Sequence, residues 1–67
     1  KAFIRNNLEA ILEELVRQGG ETIDALAELY DLNSQDVVDR LLPDIELLTK
    51  AESEQAVIII HGWLLRD

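Results

Sequence analysis

From Ile4 to Leu41 apolar residues return every three or four positions, a period that lays them along one side of short amphipathic helices. Ile4, Leu8, Ile11, Leu12, Leu15 and Val16 share one face of a first helix, with Glu9, Glu13, Glu14 and Arg17 elsewhere on its surface. Gly19-Gly20 should end it, because glycine takes the left-handed conformation of a helix C-terminus without steric cost. Thr22 stands where a hydroxyl would cap a second helix. Ile23, Leu26, Ala27 and Tyr30 follow at i, i+3, i+4 and i+7, and Asp24 falls in the first turn, where the helix dipole favours an acid. Asp31-Leu32-Asn33 interrupts the pattern. Asn33 can cap a third helix with Asp36 three residues on. That helix buries Val37, Val38 and Leu41 and stops near Leu42, since Pro43 disfavours helical geometry in the residue before it. Leu12, Leu15, Leu26, Ala27, Val37 and Leu41 are the expected core, with Ala27 at the closest helix–helix approach.

The last third supports two readings. Ile45 and Leu47 alternate with Asp44 and Glu46, a polar stretch runs from Lys50 to Gln55, and Val57-Ile58-Ile59-Ile60 is a β-branched run closed by His61-Gly62. β-branched side chains suit a pleat, and Gly62 would weaken a helix, so the pattern predicts a hairpin of two strands. The fold class expected is therefore mainly α with a small β hairpin, three helices plus hairpin. The alternative is an all-α four-helix domain. In that case Thr49 and Glu52 would form a capping box, and Ala56, Val57, Ile60, Trp63 and Leu64 a buried face.

Such a chain has little else to hold it together. Its 67 residues make one domain at most, residues 1–67, and contain no cysteine. That excludes a disulfide scaffold, a thiolate-held zinc or iron–sulfur site and a thiol enzyme. His61 is the single histidine, and no partner ligands are placed by spacing, so neither a metal site nor a cofactor is expected. No Ser–His–Asp arrangement, phosphate loop or calcium loop occurs. The acids, Glu13-Glu14 among them, read as solvated helix faces, because acid–base catalysis needs two carboxylates in different environments converging on a pocket. The chain is expected to be a non-enzyme, without catalytic residues. Its longest apolar run, Ala56–Ile60, is five residues, against about 20 for a membrane span, so no membrane is expected. Nothing at the start has the charged-then-apolar pattern of a secretory leader, and a first residue of Lys1 rather than Met is expected of an excised or trimmed segment. A cysteine-free chain is compatible with the cytoplasm.

Thr22 to Leu41, TIDALAELYDLNSQDVVDRL, resembles a helix-turn-helix segment. Ala27 fills the place of the small residue where the helices cross, Asp31-Leu32 that of the turn and apolar plug, and Asn33 and Val37 those of the cap and buried valine. Glycine is the more usual residue at the turn. With a helix before it and a hairpin after it, the whole would resemble a winged helix. The resemblance implies that the second helix presents side chains to a major groove, with Gln35 and Arg40 the candidate base readers. ALAELYDLNSQDVVDRLLP is also similar in rhythm to the N-terminal helices of haem-utilisation carrier proteins of the ChuX/HutX type, and Ile58-Ile59-Ile60-His61 to an apolar strand ending in His there. The spacing between the two pieces is shorter in this chain. That resemblance implies a haem-utilisation carrier fragment with His61 as the residue of interest.

Charge weighs against nucleic acid. The net charge is −8, and all of it lies in residues 21–54, where ten acids meet two bases, Arg40 and Lys50. Phosphate neutralisation dominates nucleic-acid affinity, and this half lacks the cations for it. Residues 56–65 hold more apolar side chains than one strand face can bury, and tryptophan is frequent at binding hot spots. Ile58, Trp63, Leu64 and Leu65 are therefore the candidate interface residues, for a protein partner or a homodimer. The function expected is a non-enzymatic, acidic protein–protein interaction or assembly domain with a helix-turn-helix-like core, inside a larger regulatory system. The alternatives are a DNA-binding transcription regulator fragment, the haem-carrier fragment, and an acidic inhibitor that mimics nucleic acid.

Overall fold

The computed structural model describes residues 2–65 and contains no strand among them. The chain runs α1 (Ala2–Asn6), α2 (Leu8–Arg17), α3 (Glu21–Leu29), α4 (Ser34–Leu41), a 3-10 turn (Leu42–Asp44), α5 (Ile45–Lys50) and α6 (Ser53–Leu64). The fold is all-α, and the expected hairpin, and with it the winged-helix outline, is not formed.

The reason lies in which side chains the last segment buries. Ala56, Val57, Ile60 and Leu64 are 0–3 % exposed, whereas Ile58 is 68 % exposed. A pleat would send Ile58 and Ile60 to the same side. Their opposite fates follow a period of 3.6 residues, and burying that helical stripe outweighs the weak β preference of the run. The cap also differs from the four-helix expectation. Thr49 lies inside α5, where its hydroxyl donates to the Ile45 carbonyl at 2.7 Å, and α6 starts after Glu52, whose side chain makes no capping bond.

The earlier boundaries follow the sequence more closely. The first expected helix is divided at Asn7, whose side-chain amide donates to the Phe3 carbonyl at 2.9 Å and whose carbonyl accepts the first bond of the second helix, from Ile11 N–H. α2 ends in a Schellman turn: Gly19 N–H bonds Glu14 O, and Gln18 N–H bonds Leu15 O. The left-handed residue there is Gln18, at φ 66°, rather than either glycine. Asp31, at φ 57°, ends α3 in the same way, with Leu32 N–H on the Ala27 carbonyl at 2.9 Å. Asn33 caps α4 as expected, its side-chain oxygen accepting from Asp36 N–H at 2.8 Å.

Thr22 does not cap α3. It stands second in the helix, after Gly20 and Glu21. The cap comes from nine residues upstream: the Glu14 carboxylate accepts the Ile23 N–H at 2.8 Å. Gly20 makes room for it, because a Cβ there would run into the Glu14 side chain. Glu14→Ala should therefore cost about 1 kcal/mol, the usual worth of an N-terminal cap. Glu14→Gln, which keeps an oxygen acceptor, should recover most of it. Urea midpoints of the three proteins check this, and an unchanged Glu14→Ala midpoint would contradict the capping role.

α3 packs on α4 and α2, α2 packs on α5, and α6 lies against α1, α4 and α5. The core holds Leu15, Leu26, Ala27, Val37 and Leu41, together with Ile4, Ile11, Ile23, Leu48 and Ile60. Leu12, expected among them, is half-buried at the margin. No buried side-chain polar atom lacks a hydrogen bond among the described residues, so this small core carries no desolvation penalty of that kind.

Candidate functional site: the outward face of the last helix

A twelve-residue helix with one buried stripe leaves a second stripe facing out. From Ile58 onward that stripe is apolar. Ile58, Gly62 and Leu65 follow at i, i+4 and i+7, and Ile58 and Leu65 are 68 % and 61 % exposed. Ile59 and Trp63 flank it, half-buried. Ile58, Ile59, Gly62 and Trp63 line an open groove of about 260 Å³. Gly62 contributes no side chain to it, and the space beside its Cα is open. Residues 55–65 contain no Asp, Glu, Lys or Arg, in a chain that is otherwise densely charged.

The four expected interface residues thus separate. Ile58 and Leu65 are exposed, Trp63 lines the groove, and Leu64, 3 % exposed, belongs to the core. Leu64 takes the place that the all-α alternative gives it, on the buried face of the helix. The groove itself had no local signal beyond Gly62 standing among large apolar residues.

Two polar contacts tie the ends of α6 to its neighbours. At its start, Arg5 of α1 grips Glu54 in a two-pronged ion pair, Nε to Oε2 at 2.7 Å and one terminal nitrogen to Oε1 at 2.9 Å. The pairing holds the Glu54 carboxyl below its ordinary pKa and the Arg5 guanidinium above its own, through the hydrogen bonds first and the charges second. At the other end, the Arg40 guanidinium donates to the carbonyls of Trp63 at 3.3 Å and Leu64 at 3.4 Å. A cation there satisfies the last carbonyls and faces the negative end of the helix dipole.

That placement bears on the candidate base readers. Arg40 reaches across to the end of α6, and the Gln35 side-chain amide donates to Asp39 one turn on, at 2.9 Å. The Ser34 hydroxyl donates to Asp24 across the turn between α3 and α4.

His61 sits within α6 rather than at the end of a strand, so the apolar strand on which the haem-carrier resemblance drew is not formed. Its Nδ1 lies 2.6 Å from the Tyr30 hydroxyl, and the two rings meet edge to face at 5.6 Å. A neutral ring protonated on Nε2 accepts the hydroxyl proton at Nδ1. Burial pushes the Tyr30 phenol above its ordinary pKa. Among the described residues no group of three or more His, Asp or Glu side chains is placed to hold a metal ion, and no helix is long and apolar enough to cross a membrane. Comparison with protein-family models, with curated proteins and with solved structures gives no match.

Proposed function

We propose that the chain is a non-enzymatic, acidic protein–protein interaction or assembly domain that receives its partner on the outward face of α6. The observation that carries the reading is the apolar groove of Ile58, Ile59, Gly62 and Trp63 on a charge-free helix face. Exposed apolar area gathered on one element and shaped by a groove is the usual mark of a protein contact. The cytoplasm is the setting this reading assumes. The experiment is a cross-linking pull-down from source cells with wild-type chain and Ile58→Asp. Protein retained by the wild type and lost with the variant supports the reading, and equal retention overturns it.

The helix-turn-helix resemblance supplies the rival, a DNA-binding regulator fragment. The expected result is that the chain does not bind duplex DNA. Arg40 is occupied at the end of α6, Gln35 bonds Asp39, and residues 21–54 carry the full −8. A fluorescence-anisotropy titration with random-sequence duplex at about 150 mM salt checks this. Non-specific binding there has a dissociation constant of roughly 1–100 µM, and anything tighter would favour the rival.

A further inference from the structure

We infer that α1 is a strap that opens apart from the rest of the domain, hinged at Asn7 and clasped to α6 by the Arg5–Glu54 ion pair. The inference stands whether or not α6 receives a partner.

Asn7 has the bonding of a hinge. Its N–H bonds the carbonyls of Phe3 at 3.1 Å and Ile4 at 3.3 Å, and its side-chain amide donates to the Phe3 carbonyl at 2.9 Å, so α1 closes on this residue. Its carbonyl accepts from Ile11 N–H at 2.9 Å, so α2 opens on the same residue. Between the two helices its backbone, at φ −121° and ψ 18°, leaves helical values. Turning α1 about Asn7 therefore keeps the first bond of α2 in place.

Little else secures α1. A helix of five residues is not stable by itself in water, so its order depends on where it is seated. Ile4, 1 % exposed, is its one buried side chain, with Phe3 half-buried against the core. By contrast α3 and α4 bury three side chains each, and α6 four. The remaining tie is the two-pronged pair of Arg5 with Glu54, whose side chains are 50 % and 69 % exposed. An element with few buried contacts and exposed bonds opens more readily than the whole fold. Ile4 shares its cluster with Val57 and Ile60 of α6, so opening bares apolar surface that the closed domain hides.

The chain contains no cysteine, so one substitution makes the only thiol that a reagent can find. Thiol labelling in native buffer is followed for Ile4→Cys in the strap and Leu26→Cys in α3. Urea melts of the same two proteins give the rate that global unfolding alone allows. Leu26→Cys should label at that rate. Ile4→Cys should exceed its own by about tenfold or more. Glu54→Gln and Arg5→Gln should each speed Ile4→Cys labelling further, severalfold. Together they should act no faster than either alone, because both break the same pair. Neither should change labelling of Leu26→Cys, which separates a clasp from a general stabiliser of the fold. Should Ile4→Cys fail to fold, Phe3→Cys, half-buried on the same helix, takes its place. Strap labelling no faster than global unfolding overturns the proposal. So does an excess that neither clasp substitution changes, or a clasp substitution that speeds Leu26→Cys equally.

Discussion

Truncating Ile60 to alanine should cost about 2–5 kcal/mol of stability, and the same truncation at Ile58, two residues earlier, should change it by less than about 0.5 kcal/mol. The chemistry removed is identical, so the contrast comes from position alone. Ile60 is 0 % exposed and sits in the cluster that joins α6 to the rest of the core, whereas Ile58 is 68 % exposed on the far side. Losing three buried carbons at Ile60 forfeits their transfer energy and leaves a cavity. At Ile58 the loss uncovers nothing, and alanine's better helix propensity offsets part of any change. Urea melts followed by far-UV circular dichroism, at concentrations low enough to keep the chain monomeric, measure both. Comparable losses at the two positions would mean that they share a face, as a pleated strand requires, and would contradict the helical assignment of residues 53–64. The Ile60 variant is also a strong test of the core's sufficiency. A domain of this size with no disulfide has only a few kcal/mol in hand, so Ile60→Ala should populate the unfolded state measurably without denaturant.

The same pair of residues shows where the sequence was legible and where it was not. Between Ile4 and Leu41 the three- and four-residue spacing, the Asn33 cap and Pro43 are local signals, and local structure follows them. The run Val57–Ile60 carries two signals in conflict. Its β-branched composition speaks for a strand, while Ala56, Val57, Ile60 and Leu64 fit a helical stripe. What decides between them is the surface of α1, α4 and α5 that α6 covers, and no window of ten residues contains that surface. The cap of α3 was hidden for a related reason. Thr22 has the right chemistry two residues past the cap position at Gly20, and the Glu14 carboxylate folds back over Gly20 to take the Ile23 N–H. The Schellman turn at Gln18 differs by a single residue: the pair of glycines marks the end of α2 correctly, yet the left-handed position falls just before them. Of the candidate site, the excess of apolar side chains after Gln55 was readable. Its division into a core stripe and an outward stripe was readable only in the all-α alternative, which places Ala56, Val57, Ile60 and Leu64 on the buried face, as they are, together with Trp63, which is half-buried beside the groove. Arg40 is the clearest case of a residue whose neighbours in space rewrite its meaning. On α4 alone it is an exposed cation near a turn; in the fold its guanidinium closes the C-terminus of α6.

Ala27→Leu should destabilise the domain by about 1–3 kcal/mol through overpacking. Ala27 is 2 % exposed in the last turn of α3, between the buried Leu26 and the left-handed turn at Asp31, and its carbonyl accepts the Leu32 N–H that closes that turn. α3 is the element packed on both α2 and α4, so three added carbons at Ala27 must displace either a neighbouring helix or the turn bonded to its own carbonyl. Leucine and alanine differ little in helix propensity, which leaves packing as the source of the loss. Ala25→Leu adds the same atoms to the same helix at a half-buried position and should stay within about 0.5 kcal/mol of wild type. Trp63 lines the α6 groove, outside α3, so its fluorescence gives a second probe alongside circular dichroism, and coincident transitions would show that the loss is global rather than confined to the turn. An Ala27→Leu midpoint equal to that of Ala25→Leu would mean that the site next to the turn has room to spare, and that the small residue there is not required by the packing of α3 against its neighbours.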